Sequence, residues 1–188
     1  MRGSVVAALA VSIVVSSVLG GCGGDDAPSP STTSGLGSLV TGTCTPGDPV
    51  LRVEQIEPAV AAVEAELGGP QRYFEINATT VLVNLFVASP DGTQVTPYLY
   101  SKGTLSSDAS RPATGNSFPA SVIDIDPQSV TSCISGQLPT STQDLFLIQG
   151  GADDAVRYGV LVTSQAGGQL LVEVSGTGLV LGVDPVDG

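Results

Sequence analysis

Apolar positions recur along this chain with two alternating periods. In VEQIEPAVAAVEAELGG, Ile56, Val60, Val63 and Leu67 fall at spacings of four, three and four, which lines one face of an α-helix. Pro58 suits the first turn, and Glu54 and Glu57 sit near the positive end of the helix dipole. Gly68-Gly69-Pro70 stops the helix. RYFEINAT and TVLVNLFVAS then carry β-branched and aromatic residues, as strands do. Pro90-Asp91-Gly92 predicts a turn, because proline fixes one φ and glycine supplies the other. QVTPYLYSKGTL is the predicted return strand, placed near a sheet edge because Pro97 has no N–H to give a ladder. A polar loop, SSDASRPATGNS, follows it.

After that loop the order begins again. SVIDIDPQSVTSCISGQL reads as a second helix, and its Ile125-Asp126-Pro127 echoes Ile56-Glu57-Pro58 at an offset of 69 residues. DLFLIQ and AVRYGVLVTS are strand-like, QAGG is a turn, and QLLVEVSGTGLVLGV is a last strand or pair of strands. Laid without a gap at an offset of 75, residues 87–105 match residues 162–180 at Val87 and Val162, Ser89 and Ser164, Gly92 and Gly167, Gln94 and Gln169, and Gly103 and Gly178. A six-residue insertion before the second hairpin accounts for the change of offset. Coincidence in a Gly- and Val-rich chain is the competing explanation. The expected fold class is α+β: an antiparallel β-sheet with helices packed on one face, forming one globular domain over residues 49–188. Two tandem α-β-β-β repeats, 50–105 and 118–183, are its expected subdivision. On this element order and strand alternation, the domain resembles the exported repeat domains of the peptidase-propeptide (PepSY) and β-lactamase-inhibitor-protein type. The resemblance implies short helices on a curved antiparallel sheet, and binding or inhibition of other envelope proteins.

The N-terminus is organised differently. Residues 4–19, SVVAALAVSIVVSSVL, carry no charge, and Arg2 is the only charged side chain ahead of Asp25. A basic start, a short apolar run and small residues make residues 1–21 a secretory signal peptide. A permanent transmembrane anchor is the alternative, at the short edge of the roughly 20 residues a spanning helix needs. Leu19-Gly20-Gly21-Cys22 resembles the bacterial lipobox. The resemblance implies cleavage between Gly21 and Cys22, a diacylglycerol on the Cys22 thiol, and a lipid anchor at the extracytoplasmic face of the cell membrane. Residues 22–48 are rich in Gly, Ser, Thr and Pro after the cysteine and read as a flexible tether.

Charge narrows the partners. The 188 residues carry a formal net charge of −12, which repels nucleic acid and anionic lipid headgroups. Two cysteines remain, Cys44 and Cys133, and an even pair in an exported protein points to a disulfide. Closing a loop that long is worth roughly 4–5 kcal/mol in the chain-entropy model. Two buried free thiols are the alternative.

The chain has no histidine, which removes every Ser-His and Cys-His nucleophile scheme and leaves no zinc set. The segment Ser175-Gly176-Thr177-Gly178-Leu179 lacks the lysine of a phosphate loop and reads as a strand end or bulge. Asp124 and Asp126 are expected as first-turn acids of the second helix, although paired acids also serve glycoside hydrolysis. Asp153-Asp154 is expected at a hairpin tip, as a solvated turn or a weak calcium site, and Ser89-Pro90-Asp91-Gly92 reads the same way. Tyr98 and Tyr100 share one strand face, for packing or for a partner, and Glu173 and Ser175 are their expected counterparts in the second repeat.

No enzyme activity, cofactor or metal is expected. The first functional expectation is a non-enzymatic, lipid-anchored binding or regulatory module with an envelope protein or lipid as partner. The alternative is a lipid or glycolipid carrier with an apolar cavity, for which a large closed pocket would speak. An acid-based hydrolase is a third expectation, and would need two convergent carboxylates in a deep cleft.

Overall fold

The first predicted helix forms as Ile56–Leu67 (α1), preceded by a 3-10 turn over Val53–Gln55. Gly68 ends it with a φ of 79°, and the N–H groups of Gly68 and Gly69 both donate to the Glu64 carbonyl. The structure, a computed structural model, describes residues 50–165, 167–175 and 179–186. On α1 the side chains of Ile56, Ala59 and Val63 are buried, whereas Leu67 is 43 % exposed. Periodicity identifies the face of a helix, not how far the surface it packs on extends.

The second helix is shorter than its sequence signature. Residues 120–122 form a 3-10 turn and α2 runs over Pro127–Gln137. Asp126 is its N-cap: its carboxylate accepts from the N–H groups of Gln128 (3.0 Å) and Ser129 (3.2 Å). Those bonds, with one from the Ser129 hydroxyl as the largest cause, lower its pKa below the usual carboxylate value. Asp124 lies ahead of the helix, where its N–H donates to Tyr158 Oη at 3.0 Å.

Ten strands form, most of them on apolar runs. They are β1 Arg72–Ala78, β2 Val83–Ala88, β3 Gln94–Ser101, β4 Thr104–Ser107, β5 Arg111–Pro112, β6 Phe118–Pro119, β7 Ser141–Gly150, β8 Val156–Ser164, β9 Gln169–Val174 and β10 Val180–Val186. They make one sheet in the order β10-β9-β8-β7-β1-β2-β3-β4, with short β5 beside β3 and β6 beside β1. Every pairing is antiparallel.

The predicted return strand is in fact two. It breaks at Lys102-Gly103, whose φ values of 51° and 77° make a two-residue hairpin loop. β3 is therefore internal, and β4 and β10 are the ends of the strand order. Pro97 is tolerated there because its carbonyl points past the end of β4 and accepts from Asp108 N–H at 2.9 Å. The nitrogen of the same residue faces the same side, so no bond to β2 is lost.

Where three strands were expected after each helix, α1 is followed by β1–β4 and the short β5 and β6, and α2 by β7–β10. The first strands, β1 and β7, pair with each other at the centre. Each half carries an irregularity between its first and second strands, at Tyr73/Glu75 and at Gln143/Leu145. The turns at Pro90-Asp91-Gly92 and around Gly167-Gly168 both join a second strand to a third. The ladder register differs by one residue from the gapless sequence alignment. Tyr98 stands opposite Leu85, and Val172 stands opposite Val160.

Both helices lie against one face of the sheet. Ile56, Ala59, Val63, Val130 and Ile134 share a single buried cluster with Tyr73, Ile76, Leu85, Phe146, Ile148 and Val160. Phe118, on β6, sets its ring 6.2 Å from that of Tyr73.

Among the described residues, two fully buried side-chain atoms have no hydrogen-bond partner: Tyr73 Oη and Gln143 Oε1. They sit at the two irregularities. A buried hydroxyl without a partner costs about 1–3 kcal/mol of desolvation. Tyr73→Phe is therefore expected to raise stability by about 1 kcal/mol, measured by urea denaturation. Burial first, and the negative charge of Glu64 second, push the Tyr73 phenol above its ordinary pKa of 10.0. Below pH 10 both folded and unfolded phenols are neutral. Above it the unfolded chain loses the proton first, so stability falls as pH rises towards the higher folded value, by up to about 1.4 kcal/mol per pH unit for one group. Tyr158 is raised as well, again mainly by burial. In Tyr73→Phe the alkaline fall should be shallower; an unchanged slope would show that this phenol does not carry it.

Candidate functional site

Among the described residues, no helix packs on the sheet face opposite α1 and α2. Strand alternation puts Glu75 and Asn77 of β1 on it, because Ile76 and Ala78 point into the core. Pairing extends two rows across the strands. One runs Arg157, Gln149, Glu75, Phe86, Pro97. The next runs Glu173, Gly159, Leu147, Asn77, Asn84, Leu99. A third row aligns Leu145, Leu161 and Leu171. Phe86, Leu99 and these leucines are partly buried, without a helix above them.

A polar ladder crosses the middle of this face. Asn84 Nδ2 donates to Asn77 Oδ1 at 2.6 Å, and Asn77 Nδ2 donates to Glu75 Oε1 at 2.6 Å. Gln149 Nε2 donates to the other carboxylate oxygen, Oε2, at 3.0 Å. Three strands, β2, β1 and β7, are thus linked through side chains, and Asn77 is buried to 5 % exposure within the network. The Glu75 carboxylate is fixed by amide donors on two sides.

Gly159 explains part of the shape. A Cβ there would lie 2.9 Å from Leu171 Cδ1, so Leu171 leans over the space a side chain would have filled.

Two clefts lie elsewhere, both open to solvent. One, of about 380 Å³, lies between the start of α1 and residues 120–128, with Val53, Ile56, Val60 and Ile123 among its walls and Glu54, Glu57 and Asp126 around them. The other, of about 410 Å³, is polar and is lined by Arg72, Ser117, Asp153 and Asp154. There Arg72 Nε donates to Ser117 Oγ at 3.0 Å, and its Nη2 reaches the Ser117 carbonyl and the Asp154 carboxylate. Asp153 and Asp154 occupy the hairpin tip with φ values of 55° and 61°. Among the described residues no three His, Cys, Asp or Glu side chains come together as metal ligands. No helix there is long and apolar enough to cross a membrane.

The sequence-derived candidates fall in different places. Tyr98 is 9 % exposed and belongs to the core cluster, and Tyr100 packs partly buried against it. Their register sends both rings to the helix-covered face. Glu173 lies on the opposite face. Asp124 and Asp126 do not form a carboxylate pair: Asp126 caps α2, and Asp124 precedes it. Cys133 is disulfide-bonded. Gly21, Cys22 and Cys44 lie outside the described residues.

Glu75, Asn77 and Gln149 escaped sequence reading, although polar residues alternating with Ile76 and Ile148 were a usable signal. What hid them was the pairing of β1 with β7, between residues 74 positions apart.

No protein-family model, curated protein or solved structure matches this chain.

Proposed function

We propose that the chain is a lipid-anchored lipoprotein of the extracytoplasmic membrane face, whose domain is a non-enzymatic binding or regulatory module. The observation that carries the binding half is the asymmetry of the sheet. Helices cover one face, and the other offers apolar rows with a fixed carboxylate in their midst. Isolated sheet faces of this composition gain free energy by burial against a partner. The anchoring half rests on Leu19-Gly20-Gly21-Cys22 behind an uncharged run. The absence of histidine from the chain weighs against nucleophilic hydrolysis.

A lipid or glycolipid carrier is less well supported. The helix side of the sheet is filled by Tyr73, Phe118 and Phe146, all fully buried, and the two clefts are open. We further read the two halves as copies of one helix-and-four-strand unit. The paired first strands and the equivalent irregularities support that reading. Cys44 is the proposed partner of Cys133.

Cys22→Ala tests the anchor. The variant should lose labelling by an alkyne fatty acid completely, and should stay as uncleaved precursor or appear in the medium. Equal labelling of wild type and variant would sink the lipoprotein reading.

A further inference from the structure

We infer that the open sheet face docks a protein surface that sets one basic side chain, lysine or arginine, on the Glu75 carboxylate. Apolar neighbours of that side chain would pack on Phe86 and Leu147. The inference rests on the binding-module reading.

Position is the first reason. Glu75 is partly buried, paired with Phe86 on one side and Gln149 on the other. A carboxylate in such a place is strengthened as a charge partner by the low local dielectric.

Preorganisation is the second. Asn77 holds Oε1 and Gln149 holds Oε2, so the carboxylate does not need to be ordered on binding. A carboxylate has about four acceptor sites, and these two bonds use half of them. The Gln149 amide spends a donor on Glu75, which leaves its oxygen as a neighbouring acceptor. Acceptors grouped in this way suit a group with only donors, and ammonium and guanidinium are such groups.

Charge selects among occupants. A second copy of this chain would set this face, which carries Glu75, Glu173 and Arg157, against itself. With a net charge of −12 on each copy, that contact is repulsive. A lipid tail would cover the Asn84-Asn77-Glu75-Gln149 ladder without satisfying it. A basic protein surface meets both the apolar rows and the carboxylate.

The full chain, 15N-labelled, would be titrated with a strand-length peptide of alternating leucine and arginine, and with its leucine–glutamate counterpart. Amide shifts confined to the open-face residues of β1, β7 and β8 are expected with the basic peptide only. Glu75→Gln should weaken binding at least tenfold, whereas Glu66→Gln, on α1, should not. If Glu75→Gln fails to fold, Phe86→Ala removes the apolar flank, keeps the network and should weaken binding similarly. Shifts spread over the helix side, or affinity indifferent to Glu75→Gln and Phe86→Ala, would overturn the inference.

A photo-crosslinking residue at Leu147, in cells, separates this from the broader reading. A crosslinked protein lost in Glu75→Gln supports both. A crosslink indifferent to Glu75→Gln overturns the charge contact and leaves the module standing. No crosslink from Leu147, or from the exposed Val81 and Leu181, overturns the module itself.

Discussion

Phe146→Ala should lower stability by about 3–5 kcal/mol, the range for emptying a fully buried aromatic site. Phe146 has no exposed surface and sits on β7, one of the two central strands of the sheet. Its neighbours across the ladder are Ala78 on β1 and Val160 on β8. Ala78 is small, so the phenylalanine ring fills the space that a larger partner would otherwise take. Neither ladder can close that space without moving backbone bonds, and relaxation will be poor. A domain of ordinary stability has about 5–15 kcal/mol in hand, so this one change removes a large part of it. Urea titration should show a lower midpoint with an unchanged slope. Phe86→Ala is the matched control. Phe86 lies on the open face, partly buried, and should cost well under half as much. Equal losses at the two positions would contradict the assignment of faces.

Gly150→Ala should cost about 1–3 kcal/mol or prevent folding, by forced overpacking. A Cβ at this position would lie 2.2 Å from the Asn116 carbonyl oxygen and 2.7 Å from its carbon. Both are backbone atoms, in the segment between β5 and β6, and cannot swing aside as a flexible side chain would. Gly150 thus lets residues 116–117 pass against the end of β7, close to where Ser117 meets Arg72. Gly182→Ala is the counter-example. Nothing lies within 4 Å of a Cβ there, and its φ is not in the left-handed region. It should be neutral or gain up to about 1 kcal/mol through the unfolded chain. Thermal denaturation of the two variants side by side decides the matter. A harmless Gly150→Ala would mean that the 113–117 crossing is not packed as described.

Local chemistry was legible in the sequence. The helix over Ile56–Leu67 followed from a spacing of four, three and four and from Gly68 at its end, because both depend on residues within one or two turns. The hairpin at Pro90-Asp91-Gly92 followed from turn preferences of the same short range. The antiparallel α+β class came from the order of such segments. The β3–β4 hairpin also has a local signal, because glycine at the second position of the two-residue loop Lys102-Gly103 favours one.

Pairing order was beyond the sequence, because a strand's period of two states only that it has two faces, not which neighbour each edge will meet. Pro97 by itself signals a sheet edge, yet an internal strand accommodates it where β4 stops short. Tyr98 and Tyr100 alternate like any surface pair, and only their pairing with Leu85 and Val83 sends them under the helices. Asn77 and Glu75 became neighbours of Asn84 and Gln149 only when β1 took its place between β2 and β7. The sequence by itself determined the two helices and the longer strands, the acidic charge and the cysteine at the end of the apolar run. The tertiary structure decided which polar residues meet and which face stays open, since contacts across a sheet join residues that no local pattern connects.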